Sequence, residues 1–287
     1  MLTEAKVIQL SKHLMGPYSF QLLAPSKSAV PQNFSHPTKD EHLYDQFLSG
    51  MQRLRGSIYL KDGAIQPWEL DDEGRHHMHG DEQSWHLLLL DERKTAIGCA
   101  RYLVHSSDVS YDRLRISHSA LASDPVWGSK VRAAVEADLQ SSRDARLSYV
   151  EVGGWALSEQ WRGTRAALEI LVGSYALAQL WGGCIGSCTA TVRHSSSSML
   201  RRLGGQSFEM AGQTLPSYND PEYDCVMELL RFDYRSPATR FLPLIHQLRA
   251  TLSKAPVVTS AEPFAVRLRE FIPEQASRLR LTPLFIS

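Results

Sequence analysis

Neither sign of charge dominates this chain. Lysine plus arginine equals aspartate plus glutamate at 31 each, so no global field draws it to nucleic acid or to an anionic membrane. A charged partner has to be met by a local patch. Cysteine is scarce: Cys99, Cys184, Cys188 and Cys225 form no CxxC pair and no zinc spacing. The first three lie in apolar runs that read as buried strands, which suits free thiols in a reducing cytosol. Long hydrophobic runs are also missing, for none approaches the ~20 residues that span a bilayer. The N-terminal MLTEAKVIQLSKHL lacks the charged-then-apolar plan of a signal peptide. The expectation is a soluble, cytoplasmic protein without repeats or a long linker.

What is present suits a globular fold. With 287 residues and 43% hydrophobic content, the chain can hold one large domain or two small ones. Residues 1–36 are Ser/Pro-rich with weak periodicity. Leu43, Phe47, Met51 and Leu54 recur at helical spacing and predict a helix over 38–55. The polar 61–84 reads as a loop, and WHLLLLD with TAIGCARYLVH reads as a hairpin. A helix follows over 125–142, then a strand at 147–157 whose Gly153–Gly154 pair suggests a bulge. After it come a helix carrying Ala166 to Leu180, the buried strand GGCIGSCTATV and a short helix stopped by Gly204. QSFEM and CVMELLRF pair as a last hairpin, and SPATRFLPLIHQLRATL and PFAVRLREFI read as helices.

The turn SEQWRGTRAA sits between the strand ending at Leu157 and the next helix. The first N–H groups of a helix lack intrahelical partners and, with the helix dipole, favour an anion. A phosphate fits there, with Gly163, Ala166 and Ala167 allowing close approach and Arg162 and Arg165 supplying charge. The alternative is an ordinary strand-to-helix turn.

The order of these pieces resembles the core of the GNAT (N-acetyltransferase) superfamily. Its turn reads about V-x-P-E-Y-R-G-x-G-x-G or A; here L-S-E-Q-W-R-G-T-R-A-A keeps Leu157, Arg162, Gly163 and Ala167, with Arg165 at the central glycine. Within the superfamily the chain is similar to acyl-homoserine-lactone synthases and long-chain N-acyl amino acid synthases. Arg55-Gly-Ser-Ile-Tyr59 is similar to their R-x-x-V-F, with Trp68 following and Asp81 where they keep an acidic residue. Gly98-Cys-Ala-Arg101-Tyr-Leu is similar to G-C-A-R-L-L, and Glu151 to Leu157 resembles E-x-S-R-F-A-V with Gly154 in place of the arginine. The resemblance covers roughly residues 50–210.

It implies an α+β fold, a mostly antiparallel twisted sheet flanked by helices. It also implies an acyltransferase domain over 37–234, an extension over 1–36, and a helical extension over 235–287 packed on the domain. The acyl donor is a phosphopantetheine thioester held by Leu157, Arg162, Gly163, Thr164, Arg165, Ala166 and Ala167, with no tightly bound cofactor. Arg165, standing where the backbone should hug a pyrophosphate, favours acyl carrier protein over coenzyme A as donor and partner. Arg55, Trp68, Asp81 and Arg101 bind the second substrate, a small amine such as an amino acid.

Acyl transfer needs a neutral amine, a polarised carbonyl and a route for the thiolate to leave. Glu151 is the candidate base, or else an ion-pair partner for Arg101. The bulge frees a backbone N–H in the stretch Trp155 to Leu157 for the thioester oxygen, with Ala156 and Leu157 as candidate catalytic positions. The superfamily's tyrosine acid falls at Leu200, leaving His194 or one of Ser195 to Ser198 as the substitute, or simply structural residues. An acyl chain is expected in a tunnel around Leu88, Leu90, Ala156 and Cys188. His76, His77 and His79 lie in a polar loop without metal-ligand spacing, so no metal is expected. A fold of this kind that binds a thioester or a partner without turnover is the competing class, and a homoserine lactone signal synthase is a variant of the first.

Overall fold

Trp85–Leu90 reads WHLLLL, with no polar alternation, so a strand there needs cover on both faces. The computed structural model, which describes residues 17–26, 28, 30–260 and 265–266, supplies that cover. Among these residues one sheet of ten strands runs through the molecule. They are β1 (Ser19–Leu23), β2 (His36–Lys39), β3 (Trp85–Leu90), β4 (Ala96–His105), β5 (Ser148–Leu157), β6 (Cys184–Thr191), β7 (Gln206–Ser207), β8 (Tyr218–Asp220), β9 (Cys225–Asp233) and β10 (Pro256–Thr259). The spatial order is β8-β9-β6-β5-β4-β3-β1-β10-β2, and β7 also pairs with β9. Pairing is antiparallel except between β5 and β6, β1 and β10, and β10 and β2. The helices are α1 (Glu41–Lys61), α2 (Gly128–Ala145), α3 (Arg165–Leu180), α4 (Ser196–Leu203) and α5 (Leu242–Leu252).

Side chains of β3 alternate between two helical layers. Leu88 and Leu90 meet α1 through Tyr44, Phe47 and Met51. Leu87 and Leu89 face the other way, into a core shared with Val172 and Ala176 of α3 and Ile245 and Leu248 of α5. On the α1 side, α2 covers Tyr149, Ile185 and Leu229 with Val131, Val135 and Leu139. Helix α3 is buried without a break from Val172 to Leu180. Such a helix must be covered all round, with the sheet on one side and α5 on the other.

The α+β class and the element order are as the sequence predicts, with differences that have physical causes. Helix α1 begins at the Asp40 cap, whose side chain accepts from the Leu43 N–H, but it continues past Arg55 to Lys61. Gly56 does not end it; a Cβ there would meet the Gly74 carbonyl oxygen at 2.8 Å, so the glycine admits the crossing loop. Strand β1, from the segment read as an N-terminal extension, lies between β3 and β10. Strand β10, from the segment read as helical, lies between β1 and β2. The last hairpin joins β8 to β9, while β7 adds only two residues against β9. Most of PFAVRLREFI lies outside the described residues, and its Ala265–Val266 pairs as extended chain with Val30–Pro31. Among the described residues no helix is long and apolar enough to cross a membrane.

Candidate active site

Strands β5 and β6 pair only from Ser148 with Cys184 to Glu151 with Ser187. Beyond that point Val152–Leu157 and Cys188–Thr191 separate, and a cavity of about 460 Å³ fills the gap. Glu151 and Ser187 stand at its closed end, and Gly163, Arg162 and Arg193 line it near the start of α3.

A bulge in β5 shapes the wall of this gap. Cys99 faces Ala156 and Arg101 faces Gly153, so Ala100 stands against both Gly154 and Trp155. Gly154 takes φ +60°, and a Cβ there would lie 3.0 Å from the Arg101 Cβ. The bulge resets the alternation of side chains. Glu151 therefore lies on the α1 face together with Ala156, five residues on, which an unbroken strand would forbid. The Ser158 N–H donates to the Ile97 carbonyl at 2.8 Å. Alternation then turns the Leu157 N–H away from β4, toward the gap. The sequence predicts this freed donor, although it centres the bulge one residue earlier.

Glu151 is 8% exposed. Its Oε1 accepts from the Arg115 backbone N–H at 2.6 Å, and its Oε2 lies 2.9 Å from His105 Nε2. It is not the partner of Arg101. The Arg101 guanidinium instead donates to the His79 carbonyl at 2.8 Å and lies 3.7 Å from Asp81 Oδ1. Asp81 centres a buried cluster, for Arg55, fully buried, grips its two oxygens at 3.1 and 2.6 Å. Gln52 Nε2 and the Met78 N–H donate to the same carboxylate. Burial alone would push the Asp81 carboxyl up, but the Arg55 fork and the Gln52 amide outweigh it and hold it at about 2. Burial lowers His86 to about 4. The imidazole is therefore neutral, with Nε2–H donating to the Asp81 carbonyl at 2.7 Å.

The predicted substrate residues thus divide. Arg55, Asp81 and Arg101 are brought together, and Arg101 lines the cavity. Trp68 is 80% exposed, in a short turn, and does not join them. The His76–His79 loop is more than solvated polar chain: the carbonyls of His76 and His79 receive the two buried arginines. No metal-holding group of His, Cys, Asp and Glu exists among the described residues.

At the start of α3, Thr164 is the N-cap and its hydroxyl accepts from the Ala166 N–H. Gly163 takes φ +72°. Arg162, Gly163 and Ala167 line the cavity, but Arg165 does not. Its guanidinium runs along the helix to Glu169 and to Gln247 of α5. The predicted obstruction at the central glycine position is therefore not there, because a helical side chain at that point leans outward over its own turn. His194 lies in the turn Arg193–Ser195 before α4, and its side chain is outside what the structure describes.

The apolar part of the cavity lies on the α3 face, walled by Ile170, Tyr175, Leu203, Phe232, Tyr234 and Cys188, while Ala156 lines the cavity from the α1 face. Leu88 and Leu90 do not reach it, since both are packed under α1. Burial pushes the Cys188 thiol up to about 12, so it lines the wall as a neutral group. Leu200 and Ser196 of α4 also line the cavity.

Among solved structures the fold has a counterpart. The CoA-dependent acyl-homoserine lactone synthase BjaI, with MTA, superposes at TM-score 0.50 with 14% identity, covering 85% of this chain and 94% of that one. The chain shares the fold of this synthase. The same synthase with SAM and isopentyl-CoA gives TM-score 0.49 at 13% identity, over 85% and 94% of the two chains. FeeM, an N-acyl amino acid synthase from uncultured soil microbes, gives 0.42 at 12%, over 67% and 88%. No protein-family model matches the chain, and no curated protein sequence matches it.

Sequence reasoning missed His105, Arg115 and Tyr223. Arg115 Nη2 donates to the Tyr223 hydroxyl oxygen at 2.9 Å, and both side chains line the cavity. Arg115 sits in a 3-10 turn with no periodicity to mark it. His105 had a signal: it shares a strand face with Arg101, four residues away, and ends the strand beside Glu151.

Proposed function

We propose that the protein is an N-acyltransferase that moves an acyl group, fatty in character, from a phosphopantetheine thioester to the amine of an amino acid or similar small molecule. The observation that carries this reading is the gap between β5 and β6, with the Leu157 N–H turned into it and the Glu151 carboxylate at its closed end. The pantetheine arm lies in the gap, and the thioester oxygen takes the Leu157 N–H as charge develops on it. A positioned donor of this kind is typically worth about 3 kcal/mol in the barrier.

The acceptor enters on the α1 face. There Glu151 takes the ammonium proton, directly or through one water, while its contacts to the Arg115 N–H and His105 hold it in place. The guanidinium groups of Arg101 and Arg115 line the same end and suit an amine that also carries an anionic group. The acyl chain occupies the apolar part of the cavity, where each buried methylene contributes about 0.8 kcal/mol. Leu200 offers no proton to the departing thiolate. Of the serines beside it, Ser196 lines the cavity and relays a proton from water to the departing thiolate, returning to its neutral hydroxyl.

The donor is a thioester on acyl carrier protein or coenzyme A, and Arg162, Gly163 and the first N–H groups of α3 meet its phosphate. Mass spectrometry of lipid extracts from cells expressing the protein tests the whole reading. New N-acyl products are expected, and they disappear in cells expressing Glu151→Gln. Extracts unchanged from those of control cells would overturn it.

A further inference from the structure

The end of the cavity that receives the donor's phosphate is already held by an acidic side chain. Asp62 caps the C-terminus of α1 and lines the cavity together with Ala64, Arg162, Gly163 and Arg193. Arg162 Nη2 donates to Asp62 Oδ2 at 2.9 Å. Arg193 Nη1 donates to the Asp62 and Gly63 carbonyls at 3.2 and 2.8 Å, and its Nη2 donates to the Asp224 carbonyl at 2.9 Å. Beside them Lys61 pairs with Glu159 at 2.6 Å, fixing the end of α1 against the turn that precedes α3.

The two arginines that line this end of the cavity, Arg162 and Arg193, thus already donate to a carboxylate and three carbonyls of this same chain. A phosphate arriving there meets Arg162 already neutralised and a negative oxygen beside it. Each further negative charge on the donor adds repulsion from the same carboxylate.

We propose that Asp62 is a charge gate at the donor mouth, which selects against highly charged donors and so favours a thioester arm carrying a single phosphodiester, as on a carrier protein, over coenzyme A with its pyrophosphate and ribose phosphate. This rests on the reading of the cavity as an acyl-thioester site. The gate acts on binding, since Asp62 touches neither the thioester position at Leu157 nor Glu151.

Two probes separate charge from shape: coenzyme A, and pantetheine, which has the same arm and no phosphate. Isothermal titration calorimetry on the full chain and on Asp62→Asn, which keeps the side chain's shape and the backbone carbonyls, reads both. Asp62→Asn is expected to bind coenzyme A about fivefold more tightly, the scale of one partly exposed charge pair, with pantetheine binding unchanged. The coenzyme A difference shrinks at high salt. Glu159→Gln removes a neighbouring negative charge and is expected to keep the wild-type ratio of the two affinities.

Coenzyme A binding that is equal or weaker in Asp62→Asn, with pantetheine binding intact, overturns the gate and leaves the thioester reading standing. Glu159→Gln matching the effect of Asp62→Asn also overturns it, because the selectivity would then be a general field. If neither protein binds either probe, the gate and the thioester reading fall together.

Discussion

Glu151 and Asp81 are both buried carboxylates, and their partners assign them different work. Glu151 accepts from one backbone N–H and one imidazole and faces a cavity, so an incoming ammonium can reach it. Replacing it with Gln keeps the shape and the contact to the Arg115 N–H but removes the proposed base. Turnover is expected to fall about 100-fold or more, with the melting temperature nearly unchanged; a lowered melting temperature with intact turnover per folded molecule would make Glu151 structural. Asp81, gripped by Arg55 and Gln52, holds the fold. Removing one partner of a buried pair costs about 3–5 kcal/mol, and Asp81→Asn is expected to lose that much in urea unfolding at neutral pH. The sign of its pH dependence follows from its lowered value of about 2. A carboxylate more acidic in the fold than in the unfolded chain stabilises fully above about pH 4, and that contribution is lost as the pH falls toward 2. Wild-type stability should therefore drop across this window more steeply than that of Asp81→Asn.

At the scale of elements, the bulge in β5 is where a single residue type decides the geometry. Gly154 has φ +60° and a Cβ there would crowd the Arg101 Cβ at 3.0 Å, whereas a Cβ on Gly153 would meet nothing within 4 Å. Gly154→Ala is expected to cost about 1–3 kcal/mol through backbone strain and to lower activity by moving the Leu157 N–H. Gly153→Ala should stay within about 0.5 kcal/mol of wild type. Equal melting temperatures for the two variants would refute this account of the bulge. The glycine pair is legible in the sequence, as are β3, β4, β5 and α3, because apolar runs and periodicity are local signals. The spacing that nominates Glu151 is legible too. Its partners are not, since the contact to His105 is diagonal across two strands and that to Arg115 comes from a turn. The path of Arg165 is equally hidden: sequence shows which residue replaces the glycine, while helix geometry and the presence of Glu169 and Gln247 decide where its charge goes. Strands β1 and β10 escape notice because they are short, and each is completed by a partner far away in sequence.

For the molecule as a whole, these two strands decide what can fold alone. The sequence suggests an acyltransferase domain over 37–234, and a fragment with those bounds lacks β1, the neighbour of β3, and also α5 and β10. Without β1, the WHLLLL strand, buried at every position, becomes an open edge of unpaired N–H and C=O groups flanked by apolar side chains, the kind of edge that aggregates. Without α5, the contacts of Ile245, Leu248 and Leu252 with α3 and the sheet are lost, roughly 2 kcal/mol for each buried side chain, which together rival the ~5–15 kcal/mol of a whole domain. The fragment 37–234 is expected to elute as aggregate in size-exclusion chromatography and to show no cooperative thermal transition by circular dichroism, whereas the full chain melts in one. Val257→Asp in the full chain serves as a milder version of the same test. Val257 is fully buried opposite Leu22 of β1, so an unpaired charge there should separate β1 from β10 and abolish the cooperative transition. If the fragment instead melts cooperatively as a monomer, β1, α5 and β10 are additions to a core that stands without them, and the sheet beyond β3 has to be given a role other than stability.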